Sequence, residues 1–105
     1  MHGFQLVRIY EEMKNLGLVR SREQFSRSWC GRHPGYLRDY LRREGATMRV
    51  SVQTIQSLRL RLAEAGSLLP PDLRDRVQAF DAAILRDMRV ADLLGRRSID
   101  ARITA

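Results

Sequence analysis

Arg38 and Arg42 stand four residues apart, and a guanidinium is well shaped to bond the two major-groove acceptors of guanine or two oxygens of a phosphate. Around them lie Ser21, Arg22, Gln24, Arg32, His33, Tyr36, Asp39 and Arg43, donors and acceptors suited to nucleic-acid backbone and base edges. Catalytic chemistry has no comparable constellation. The pairs Asp39 with His33 and Cys30 with His33 lack an orienting third group, and Glu11 and Glu12, being adjacent, point to different sides of a helix. With one cysteine, Cys30, and two histidines, His2 and His33, no metal-ligand spacing is present, and the glycines form no phosphate-cradling loop. The expectation is a binding protein with no catalytic residues, no metal and no cofactor.

The charge balance points to the same kind of partner. Lys plus Arg is 19 against 12 Asp plus Glu, a net charge of +7, with Lys14 the only lysine. The excess is local. Residues 1–19 are neutral, and residues 50–69 and 70–105 carry +1 each, but residues 20–49 hold eight arginines against Glu23, Asp39 and Glu44, net +5. Arginine outnumbers acid most strongly in that segment, which reads as an electrostatic footprint for double-stranded DNA.

The elements that must position these residues are helical. In a chain of 105 residues, sized for one domain, apolar residues at three- and four-residue steps predict five helices. The first runs over 4–16 (Phe4, Val7, Ile9, Tyr10, Met13, Leu16) and stops at Gly17. The second covers 22–29, with Ser21 and Gln24 spaced to cap each other's free amides. Pro34 opens a third to about Arg43, with Leu37, Tyr40 and Leu41 inward; Ser51 caps a fourth that carries Ile55, Leu58 and Leu62 and ends near Gly66. Pro70 and Pro71 announce a fifth from Asp72 to Leu94, and no alternating run reads as a strand. The fold class is all-α: a five-helix bundle with a helix-turn-helix unit and an appended C-terminal helix.

Residues 21–43 form a capped short helix, a glycine turn, and a helix begun by proline, the plan by which one helix braces across the phosphate backbone and the next enters the major groove. A tight crossing wants a large apolar residue followed by a small one, and Phe25 followed by Ser26 supplies the pair; Trp29, one turn on, faces the same core. The segment Ser-Arg-Glu-Gln-Phe-Ser-Arg-Ser-Trp-Cys-Gly-Arg-His-Pro-Gly-Tyr, Ser21 to Tyr36, resembles the Cro and phage-repressor-like helix-turn-helix family over about residues 4–66. Cys30 stands where that family's turn glycine is usual, with Gly31 one later, so the turn reads as one residue longer. A step of 100° per residue puts Gly35, Arg38, Asp39 and Arg42 on the groove-facing side of the third helix. Tyr36 and Arg43 flank them, His33 and Arg32 can reach the backbone, and Ser21, Arg22 and Gln24 lie where a helix start meets a phosphate.

The chain therefore divides into a DNA-binding unit (1–69), a C-terminal helix for packing or dimerisation (70–95) and a flexible tail (96–105). The stripe Leu73, Val77, Phe80, Ile84 and Met88 exceeds what one small bundle face requires and is read as a homodimer interface. The functional expectation is a dimeric, sequence-specific transcriptional regulator with its third helix in the major groove. The alternative is a helical adaptor or inhibitor that binds another protein through its C-terminal helix. The lone cysteine, the lack of a signal-peptide pattern and the lack of an apolar run of ~18 residues predict a cytoplasmic protein with no membrane partner.

Overall fold

A computed structural model of the chain describes residues 1–42 and 44–104, with side chains through Val90 and at Leu93. It is an all-α bundle of five helices, and the described residues contain no strand, only an isolated antiparallel bridge between His2 and Arg49. Helix α1 spans Gly3–Asn15, and the His2 amide is capped by Gln5 Oε1 at 2.7 Å. Its buried side chains are Leu6, Ile9, Tyr10 and Met13, while Phe4 is exposed. The core face is thus rotated from the one expected. Phe4 lies on the solvent side of the first turn, whose packed side is Gly3, and Leu6 is in phase with Ile9 and Met13. Gly17, at φ 77°, ends α1 in the left-handed region, with Leu18 N bonded to Met13 O and Gly17 N to Lys14 O, both at 3.0 Å.

Helix α2 begins as Arg22–Gln24 and continues as a π-helical turn, Phe25–Trp29; α3 is Tyr36–Leu41 and α4 is Val52–Leu68. A 3₁₀ turn, Gly45–Thr47, joins α3 to α4 and touches the start of α1. Glycine is required at that contact. A Cβ on Gly3 would overlap the Gly45 carbonyl, and one on Gly45 would overlap the backbone of Asp39 and Tyr40. Ser51 caps α4, and Ile55, Leu58 and Leu62 lie buried along it as the stripe requires.

Helix α5 is Pro71–Thr104, and it returns antiparallel to α4. The partners run in opposite order: Arg74 Nε bonds Gly66 O at 2.9 Å, Arg59 pairs with Asp81 at 2.7 Å, and Met88 shares a groove with Val52. Val77 and Ile84 are fully buried in the single chain and belong to the same hydrophobic cluster as Leu6, Phe25, Leu37 and Leu58. Expected at a dimer interface, those two residues are instead core residues of the bundle. Four short helices leave a face open, and α5 closes it. Leu73, Phe80 and Met88 are half-buried. At 1.5 Å per residue, the 34 residues of α5 measure about 51 Å against about 26 Å for the 17 of α4. The residues after Met88 therefore overhang, with Val90 and Leu93 exposed, and the long dimension of the chain, 52 Å, is that of α5 itself. The backbone stays helical past Gly95 to Thr104, where the sequence reading ended it. A glycine costs a helix interior only about 1 kcal/mol, and no proline follows to stop it.

Gly45→Ala is expected to lower stability by about 1–3 kcal/mol, the usual range for overpacking. Gly17→Asn should be nearly neutral, because open space surrounds Gly17 and asparagine accepts a left-handed φ. Urea denaturation of the two variants checks the contrast.

Candidate nucleic-acid interface

At the start of α2, Ser21 Oγ accepts the Gln24 amide at 3.1 Å. The Gln24 side chain does not return to Ser21. It accepts instead from the Arg20 amide, at 2.6 Å, so the reciprocal cap expected from the spacing closes one residue earlier. Through Phe25–Trp29 the helix widens, with Cys30 N on Phe25 O at 3.1 Å; Gly31 then turns left-handed at φ 66°, and Arg32 N beyond it closes on Ser26 O at 2.9 Å. Cys30 is sealed beneath the turn, and burial pushes its thiol up to about 12 against the opposing charge of Arg32, so it stays protonated and unreactive at neutral pH.

Ser26 is fully buried and binds two helices at once. Its hydroxyl donates to Arg22 O at 2.8 Å and accepts Leu37 N at 3.0 Å. Leu37 N is one of the amides that a helix start leaves without a partner, and the residue at the cap position of α3 is Gly35, which has no side chain to offer. Ser26 therefore caps α3 from across the crossing. It explains why the position after Phe25 must be small, and why a hydroxyl suits it better than a methyl.

The third helix is shorter than expected. Pro34 and Gly35 form the turn, with Tyr36 N on His33 O at 3.0 Å, and extended backbone at Arg42 ends the helix. Leu37 and Tyr40 are buried, but Leu41 is 39% exposed and not a core residue, because the chain leaves the helix there. Trp29 is half-buried and packs on the edge of the core. Arg38, Asp39 and Arg42 lie exposed on the outer side of α3; Arg22 and His33 are exposed too, and Ser21, Gln24 and Gly35 are half-buried. Arg43 lies outside the described residues. Among the described residues the ion pairs are Arg59 with Asp81 and Arg61 with Glu64, so Arg22, Arg38 and Arg42 are not neutralised by a direct partner. Arg42 shares a shallow groove with Asp39, Glu44 and Met48.

Arg32 and Tyr36 face the interior side. Arg32 donates Nε to Thr54 Oγ1 at 3.0 Å and Nη2 to Ser51 Oγ at 2.8 Å, with its guanidinium 5.7 Å from the Tyr36 ring centre. Thr54 Oγ1 donates to the Tyr36 hydroxyl at 2.9 Å, and the Tyr36 and Tyr40 hydroxyls are 2.8 Å apart. Burial, reinforced by the Tyr36 hydroxyl, raises the Tyr40 phenol above its ordinary range. Arg32 was expected at the DNA backbone and Tyr36 on the flank of the helix, at a phosphate or a thymine methyl; their side chains instead tie α3 and the turn to the first turn of α4. Arg20, Arg27 and Arg49, which the sequence reading did not assign, are exposed around the unit. The signal that could have found them was membership of the arginine-rich segment.

No group of three or more His, Cys, Asp or Glu side chains able to hold a metal occurs among the described residues, and no described helix is long and apolar enough to cross a membrane. These observations define the class: an all-α bundle built around a two-helix unit whose second helix exposes Arg38 and Asp39 and ends at the exposed Arg42. Residues 6–103 match the family described as "Family of unknown function (DUF6626)", and the chain belongs to it. The match runs from α1 into the last turns of α5, so the long helix is part of the family's unit. No curated protein and no solved structure matches the chain.

The Ser26 contact yields a graded expectation. Ser26→Ala should cost about 1–3 kcal/mol by leaving Leu37 N without an acceptor, and Ser26→Leu should abolish the folded state by wedging α2 from α3. Hydrogen exchange at the Leu37 amide, accelerated well beyond its neighbours in the alanine variant, distinguishes a lost bond from general loosening.

Proposed function

We propose that the chain is a sequence-specific DNA-binding regulator that acts as a dimer, with α3 in the major groove. The observation that carries this reading is the outer face of α3. Arg38 on α3 and Arg42, the residue at which the helix ends, are exposed and without an ion partner among the described residues, with Asp39 exposed beside them. The inner side and N-terminus of α3 are fixed by Ser26 and by the polar chain to α4. Cations held on a rigid, short element lose little entropy on meeting an anionic lattice, and the local net charge of +5 over residues 20–49 supplies the long-range attraction. Six residues of helix span about 9 Å, within a groove about 12 Å wide, and reach few base pairs. Affinity for one site then requires a second copy. With Val77 and Ile84 enclosed in the bundle, we place that copy on the overhang of α5, where Val90 and Leu93 are among the exposed apolar side chains.

The overhang also favours a second reading, a helical adaptor that binds another protein through α5. Binding assays on duplex DNA separate the two. Arg38→Ala or Arg42→Ala should lower discrimination at individual base pairs by about 1–3 kcal/mol, whereas Arg22→Ala should weaken specific and random duplex alike and reduce the salt slope by about one. The reading fails if duplex DNA is not bound at low salt, or if both α3 variants leave site selection unchanged while Leu93→Glu abolishes function.

A further inference from the structure

The inward side of α3 borders a groove that the proposed DNA contact does not use. It has a volume of about 530 Å³ and lies between Tyr36 and Tyr40 of α3, the first residues of α4, and Met88 of α5. Met1, Val50, Val52 and Ile55 supply an apolar lining, and among the described residues the charged side chains on it are Arg32 and Arg49, both positive. Its size falls in the usual range for small-molecule sites.

Arg32 is the informative residue. Two arginines are half-buried among the described residues, Arg59 and Arg32. Arg59 has Asp81 as its counter-ion at 2.7 Å, but the partners of Arg32 are the Ser51 and Thr54 hydroxyls and the Tyr36 ring, all neutral. A guanidinium partly removed from water without an opposite charge is unfavourable, and here it is held rigid with N–H donors left over, since only Nε and Nη2 are engaged. Arg49 stands exposed on the rim of the same groove and adds a second positive charge.

We propose that this groove binds a small organic carboxylate, its anionic group between Arg32 and Arg49 and its apolar body against Val50, Ile55 and Met88. The apolar lining is what selects a carboxylate with a hydrocarbon body over a bare oxyanion or a backbone phosphate, which would leave that surface uncovered. The site rests on the groove alone and stands whether or not the outer face of α3 meets DNA.

Calorimetric titration of the full chain, without nucleic acid, with benzoate, benzamide and inorganic phosphate tests it. Benzoate is expected to bind about tenfold or more tightly than the uncharged benzamide, because the bond to a charged group is the stronger one. Phosphate, which has charge but no apolar body, should be the weaker of the two anions. Arg49→Gln leaves the Arg32 network intact and should reduce benzoate affinity without changing the melting temperature; Met88→Glu, which sets a carboxylate in the groove, should reduce benzoate affinity as well, at some loss of melting temperature because Met88 packs on the core. The proposal is overturned if benzoate does not bind at millimolar concentration, if benzamide or phosphate binds as well as benzoate, or if both folded variants bind benzoate like the parent chain.

Discussion

One buried hydroxyl, that of Ser26, sets the geometry on which the cationic surface depends. By accepting Leu37 N and donating to Arg22 O it joins the start of α3 to the first turn of α2, and it does so at a crossing too tight for a larger side chain. A six-residue helix cannot hold itself together in water, since the cost of its first turn is barely repaid over so short a length. Packing of Leu37 and Tyr40 beneath it and a cap contributed from α2 are what make α3 a fixed element. Arg38 and Arg42 inherit their direction from that fixing.

The arginines divide into two kinds by what they touch. Arg32 and Arg59 are half-buried and act as internal ties, one to hydroxyls at the head of α4 and one to Asp81 on α5; Arg74 closes the carbonyl end of α4 through Gly66. Arg22, Arg38 and Arg42 stay in water, with no ion pair among the described residues. Surface ion pairs stabilise a fold by little, and the arginines between residues 20 and 49 form none among the described residues. The long α5 has a comparable division: its first half completes the core and its second half extends past α4.

Much of this was legible in the residues. The helix count, the left-handed stop at Gly17, the Ser51 cap and the α4 stripe all follow from local chemistry that tertiary packing does not override. Features set by the third dimension were misread. Arg32 and Tyr36 look like surface groups until Ser51 and Thr54 arrive from 15 or more residues away to bind them. The register of α1 hinged on whether Phe4 or Leu6 met the core, which periodicity alone does not decide. The π-helical widening carries no sequence mark beyond the misplaced glycine at position 31, and the stripe on α5 could not declare whether this chain or a second copy would cover it.

The central claim is that the outer face of α3, with the start of α2, meets duplex DNA. Titration of random-sequence duplex into the ¹⁵N-labelled chain at low salt tests it residue by residue. The account predicts amide shifts concentrated at Ser21–Gln24 and Gly35–Arg42, reversed by added salt, with residues 71–85 of α5 unmoved. Shifts confined to α5, or none at low salt, would contradict it.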